Sequence, residues 1–155
     1  MVLGRLREVR TGGFTLAELA IVIAVIGILA VLGLPSLVSY LQAATAKAGA
    51  EEMVTALNQG RQLAISLNQS VCVEVSSNKF RYRQASCTGT IWTGAGTDAS
   101  GWKTLQNAVS VSTNQNPVFT WLGAASPGAT FTVTTPTGSR TANVVVAASG
   151  RIQIQ

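Results

Sequence analysis

Residues 19–34, LAIVIAVIGILAVLGL, carry no charge and nothing more polar than glycine. Widening the window to 14–38 adds only Thr15, Glu18 and Ser36 as polar residues, with Pro35 near the far end. Wound as a helix, this window is about 37 Å long at ~1.5 Å per residue, enough to cross a hydrocarbon layer of ~30 Å. A core helix of a soluble domain is shorter and shows a polar face; over 19–34 there is none. The segment is therefore expected to span a membrane. From about residue 40 the composition turns to Ser, Thr, Asn, Gln and Gly, and the remaining ~115 residues suffice for one small core. The chain reads as one anchor followed by one polar globular domain.

Charge sets the orientation. Arg5, Arg7 and Arg10 precede the span against Glu8 alone, whereas the first charges beyond it are Lys47, Glu51 and Glu52. Positive flanks stay cytoplasmic, so the N-terminus is expected inside and the domain exported. Cys72 and Cys87 both fall in the exported part, and an even count in an oxidising compartment suggests a disulfide. Two separate buried thiols are the alternative.

The residues before and inside the span are unlike a secretory signal. A basic stretch, MVLGRLREVRTGG, is present, but no small-residue cleavage site follows the apolar run. Any processing is expected in front of the helix, at Gly12-Gly13, where the missing side chains let an enzyme approach an extended backbone. Glu18 is the second anomaly. A carboxylate inside hydrocarbon costs a few kcal/mol, less near the interface, and is kept where it meets a partner. Residues 14–38 offer no Lys, Arg or His. A cut before Phe14 would create an α-amino group, and a neighbouring subunit shifted along the membrane normal could bring its own amine to Glu18. Snorkelling of Glu18 to the interface is the plainer account.

The block GG-FTLAELAIVIAVIGILAVLGLPS resembles the N-terminus of type IV pilins and type II secretion pseudopilins. That resemblance implies cleavage between Gly13 and Phe14 by a prepilin peptidase and N-methylation of Phe14. It also implies pairing of Glu18, fifth after the cut, with the amine of an adjoining subunit, and a helix kink at Pro35. The division implied is a leader at 1–13, a membrane and filament-core helix at 14–39, the periplasmic half of the same helix at 40–68, and a β-rich domain at 69–155.

The helical pattern continues past the span. Met53, Leu57, Gly60, Ala64 and Leu67 recur at spacings of four and three, the apolar stripe of an amphipathic helix. Gly49 and Gly60 each weaken that helix by ~1 kcal/mol. The helix is expected over 14–67, bent near Pro35, with Asn68 as its stop. Beyond it the period becomes two. VCVEVSS, KFRYRQ, NAVSVST, PVFTW, ATFTVTT, NVVVAA and RIQIQ are alternating or β-branched runs. Turn residues separate them at Ser77-Asn78, Pro127-Gly128, Pro136-Thr137-Gly138 and Ser149-Gly150. Six or seven antiparallel strands packed on one helix make an α+β domain, and the resemblance implies that its fold is type IV pilin-like. Trp92, Trp102 and Trp121 are expected in the core or at a sheet edge. The segments LNQGRQLAISLNQSVCVEV, VFTWLGAASPGATFTVTT and VVVAASGRIQIQ resemble the GspH/FimT group of minor pilins and pseudopilins.

Chemistry-bearing patterns are few. There is no histidine; Glu51, Glu52 and Glu74 lack metal-ligand spacing; and Asp98 sits in TGAGTDASGW, which reads as a surface turn. Neither an enzyme, a metal site nor a cofactor is expected. Setting aside Arg5, Arg7, Arg10 and Glu8 leaves eight cations and five anions, a net charge of about +3. Lys79, Arg81 and Arg83 alternate along one strand face, and Arg140 and Arg151 near the C-terminal hairpin could extend them into a phosphate-binding patch. A solvated face that blocks edge pairing explains the same pattern. DNA-binding members of the FimT group share a G-R-x-R motif; here Gly150-Arg151-Ile152-Gln153 keeps the first arginine and replaces the second, which weakens that reading.

The resemblance thus implies a minor pilin or pseudopilin in the bacterial inner membrane, later carried into a pilus or pseudopilus. Its partners would be prepilin peptidase, other pilins or pseudopilins, the inner-membrane assembly platform and the lipid bilayer. A pilus role is the first expectation, a type II secretion pseudopilus the second, and DNA uptake the third.

Overall fold

A computed structural model describes residues 13–155. Helix α1 runs Leu16–Ser66, followed by nine strands: β1 Val71–Ser76, β2 Lys79–Gln84, β3 Lys103–Thr104, β4 Ser110–Thr113, β5 Val118–Phe119, β6 Ala125–Ser126, β7 Ala129–Thr134, β8 Thr141–Val146 and β9 Ile152–Ile154. They form two antiparallel sheets, ordered β3-β2-β1-β5-β6 and β4-β7-β8-β9. The expected six or seven strands become nine because β3 and β6 are only two residues long, too short to show any alternation in the sequence.

The chain divides into two units that part after Val38. In the first, every residue from 14 to 38 is exposed, so among the described residues this stretch of helix is buried against nothing. In the second, α1 buries Ala46, Gly49, Ala50, Met53, Ala56, Leu57, Gly60 and Ala64. That stripe differs from the expected one at its end. Leu67 is 41 % exposed, because the helix has already stopped at Ser66 and the chain is turning away.

The stop has a definite geometry. Asn68 takes a left-handed φ of 51°, its N–H donates to the Ile65 carbonyl at 3.2 Å, and the Gln69 N–H donates to the Ala64 carbonyl at 3.1 Å. These two bonds are the Schellman arrangement, and asparagine tolerates the left-handed position better than most residues.

Both glycines that weaken the second half of α1 are seats for a sheet. A Cβ at Gly49 would lie 2.9 Å from the Val109 methyls and 3.0 Å from Val133 Cγ1. A Cβ at Gly60 would lie 2.6 Å from Val73 Cγ2 and 3.1 Å from Tyr82 Cε1. Eleven residues of helix place the seats about 16 Å apart, one under the β4–β9 sheet and one under the β1–β6 sheet. Val71, Val73, Phe80, Tyr82 and Phe119 from one sheet and Phe131, Val133, Val144 and Val146 from the other complete a single core with Met53 and Leu57. Tyr82 is buried, and its hydroxyl donates to the Ala56 carbonyl at 2.8 Å. Desolvation pushes the pKa of this phenol well above the ordinary tyrosine range.

Candidate functional site

At the start of α1 the backbone leaves an irregular stretch at Gly13 and Phe14 and enters the helix through Thr15. Thr15 is the N-cap: its Oγ1 accepts from the Glu18 N–H at 3.2 Å. Glu18 answers by accepting from the Thr15 N–H and from the Thr15 hydroxyl, both at 2.9 Å. This is a capping box, which satisfies helix N–H groups that have no intrahelical partner. The T-x-x-E spacing was readable in the sequence, where the carboxylate drew attention only as an intruder in lipid. Gly13 stands in open space. Arg5, Arg7, Arg10 and Gly12 lie outside the described residues. Pro35 sits inside the continuous helix; having no N–H, it leaves the Val31 carbonyl without its helical donor.

Cys72 and Cys87 form a disulfide with Cα atoms 5.1 Å apart, closing a loop of sequence separation 15. Closing a loop of that size is worth ~3 kcal/mol on the chain-entropy view. The bond ties β1 to the segment after β2.

The cationic strand is organised differently from a free phosphate-binding face. The β1–β2 register sets Glu74 opposite Arg81, with Arg83 one step along the same face. Glu74 Oε2 accepts from Arg81 Nε at 2.7 Å and from Arg83 Nε at 2.9 Å, and all three side chains are largely shielded. The hydrogen bond from Arg81, opposed by partial burial and aided by Arg83, holds the Glu74 carboxyl below the usual range. Arg81 also lies over the Trp102 ring, 4.1 Å from its centroid, and Arg83 donates to the Gly89 carbonyl at 3.0 Å. Both arginines are therefore engaged in holding strands together. Lys79 is half-buried at the hairpin end of β2. Arg140 and Arg151 are exposed, but they belong to the loops of the other sheet.

The remaining candidates are structural. Asp98 Oδ1 accepts from the N–H groups of Ser100 and Trp102, both at 2.8 Å, and folds the loop that sequence assigned to a turn. Glu52 accepts from the Gln106 N–H at 3.0 Å, pinning the segment after β3 to α1. Among the described residues no cluster of three His, Cys, Asp or Glu side chains could hold a metal. Trp92 packs edge-on to Tyr82 at 5.7 Å, and Trp102 supports Arg81. Trp121 departs from the expectation: it sits at the tip of the β5–β6 hairpin and is 52 % exposed, because the two-residue strands end before the core does.

A long helix whose second half seats two antiparallel sheets, with a capping carboxylate at its start, is the arrangement against which known proteins can be compared. The family described as Type II transport protein GspH matches residues 49–150, more than half of the chain. The chain belongs to the GspH family. Its fold is similar to that of the type IV minor pilin FimU of Pseudomonas aeruginosa, at a TM-score of 0.54 and 16 % identity over 70 % of this chain and 91 % of that one. It is equally similar to the minor pseudopilin EpsH from the Type 2 Secretion System of Vibrio cholerae, at a TM-score of 0.54 and 13 % identity over 71 % of this chain and 95 % of that one. No curated protein sequence matches significantly. The match of this GspH-family chain begins at Gly49, one of the two glycine seats, so it takes in the packed part of α1 and leaves out the apolar part.

Proposed function

We propose that this chain is a minor filament subunit: cut between Gly13 and Phe14 by prepilin peptidase, methylated at Phe14, and packed through residues 14–39 against the helices of other pilins or pseudopilins. Before assembly that segment lies in the inner membrane, with the N-terminus cytoplasmic and the β domain periplasmic. The observation that carries this reading is the run of wholly apolar helix that packs against none of the other described residues. Such a surface requires lipid or the helices of other subunits around it.

Glu18 has a specific part. In the single chain its carboxylate is occupied by Thr15. A neighbour's α-amine, being charged, is a stronger donor than a threonine hydroxyl, so assembly exchanges a local cap for an intersubunit pair. The test separates the two roles. Glu18→Gln keeps the capping acceptor but removes the charge, and Glu18→Ala removes both. Both variants are expected to insert and be cleaved, with their entry into filaments falling at least about tenfold, the scale of one lost ion pair in a dry setting. Normal incorporation of Glu18→Gln would reduce Glu18 to a helix cap. Recovery of native protein still beginning at Met1 would sink the processing step and with it the pairing.

A type II secretion pseudopilus is the second reading, favoured by the description of the matched family; the pilus and pseudopilus relatives share one fold with the chain at the same TM-score. Deleting the chain should remove sheared surface fibres in one case and export of secreted proteins in the other. Recruitment of inner-membrane platform proteins belongs to either reading. DNA uptake does not form part of this proposal, since Arg81 and Arg83 are held on Glu74.

A further inference from the structure

The β5–β6 hairpin ends in a tip that the fold leaves uncovered. Phe119 pairs with Ala125, the Thr120 N–H donates to the Ala124 carbonyl at 2.8 Å, and the Gly123 N–H donates back to the Thr120 carbonyl at 2.8 Å. This tight turn projects Trp121 and Leu122, which are 52 % and 72 % exposed. Gly123, at φ +83°, lies against the last turns of α1: a Cβ there would be 2.9 Å from Arg61 Nε and 3.4 Å from Ile65 Cδ1. Ile65 is itself 50 % exposed. Trp121, Leu122, Ile65 and Arg61 therefore border one surface.

Arg61 adds an independent observation. Its Nε is buried and meets no acceptor, whereas its two terminal nitrogens are not among the buried unpaired atoms. No carboxylate of the described residues pairs with it. The guanidinium is thus partly dehydrated, packed in place by Gly123 and unneutralised. A buried polar group without a partner is unfavourable and calls for an explanation. Exposed apolar side chains grouped around an arginine and a tryptophan are the composition of an interface centre.

We infer that this surface docks a different protein subunit, one that presents an apolar patch set around a single carboxylate, with the carboxylate meeting the terminal nitrogens of Arg61. Charge complementarity selects the occupant. The acids of this chain's folded domain are already committed: Glu52 to Gln106, Glu74 to Arg81 and Arg83, Asp98 to its own loop, and Glu51 to Lys47 on an exposed polar stretch of helix. In a second copy the carboxylate in an apolar setting is Glu18, which its own Thr15 already holds and which the filament-subunit reading assigns to the α1 joint. The planar guanidinium fork suits a carboxylate, and a site already half dry loses little hydration on closing. The inference rests on the filament-subunit reading and adds a second joint, separate from α1.

The experiment uses the full chain in its native cells, with a photo-crosslinking amino acid at Leu122 and, as control, at Thr137 in the β7–β8 loop. Leu122 should capture one other protein through a peptide in which Asp or Glu stands among apolar residues, and Thr137 should not. Arg61→Glu should lower that adduct by about tenfold or more, the size of a hot-spot loss, and Arg61→Lys should lower it less. Exchanging the captured carboxylate for arginine should restore the adduct in the Arg61→Glu chain. An undiminished adduct in Arg61→Glu, no rescue by the exchange, or adducts with lipid or with a second copy alone would overturn the proposal. Trp121→Asp, at an exposed position, repeats the test should Arg61→Glu prove unstable to proteolysis. Filament incorporation is scored in the same cells: its loss in the Glu18→Gln chain concerns the α1 joint, whereas loss of the Leu122 adduct from chains that still incorporate concerns this surface.

Discussion

Gly27 and Gly33 have no atom within 4 Å of the place a Cβ would take, whereas Gly49 and Gly60 are pressed against the valines and the tyrosine of the sheets. Both pairs lie in one unbroken helix, the first in its uniformly apolar run and the second in its amphipathic half. In 16–38 the apolar side chains meet no counterpart among the described residues. In 39–66 small residues form a flat seat, and the sheets decide which positions must lack a side chain. The same helix therefore holds two kinds of glycine, one tied to this chain's own packing and one free of it.

The comparison can be broken most directly by Gly60→Leu. Its side chain collides with Val73 and Tyr82, and thermal or denaturant unfolding of the detergent-solubilised chain should show a loss of about 3 kcal/mol, the upper range of overpacking. Gly33→Leu should leave that transition in place; equal effects from the two would erase the distinction.

Acid should sharpen the contrast with a smaller effect. The folded Glu74 carboxyl titrates below its unfolded value of roughly 4.3. The unfolded state binds the proton more readily, so this contribution is fully present above the unfolded value and is lost as pH falls through the folded one. Stability of the β domain should decline from pH 6 toward pH 3. Glu74→Gln should flatten part of that decline at a cost on the order of 1 kcal/mol at neutral pH. A pH profile unchanged by Glu74→Gln would remove the Arg81–Glu74–Arg83 cluster from the account of stability.

The smallest effect is expected from Gly27→Ala, with less than about 0.5 kcal/mol of change in the same transition. Open space receives the methyl, and the gain in helix propensity falls outside the packed unit.

Much of the fold was legible because local chemistry and global packing agree. The change of apolar period from about 3.6 to 2 after Asn68, the stop at Asn68 itself and the turn at Ser77-Asn78 all follow from residue type. Leu67 and Trp121 were misplaced because apolar character alone cannot tell the last core position from the first one beyond it. The fate of Arg81 and Arg83 was readable in principle: a two-residue turn at Ser77-Asn78 forces Glu74 to face Arg81. What no alternation pattern could supply is a pair of two-residue strands, since β3 and β6 take their conformation from the neighbours they hydrogen-bond to. The cap at Thr15 was hidden by a stronger signal, the membrane run that begins beside it.

Tyr82 gives this molecule an optical gauge of its own integrity. With its ring enclosed by core residues and its hydroxyl on the Ala56 carbonyl, the phenolate is disfavoured for as long as helix and sheet stay together. The ultraviolet signature of that one ring during an alkaline titration would therefore mark mechanical separation of the two layers, and the pH at which it emerges would rise with every change that grips them more tightly.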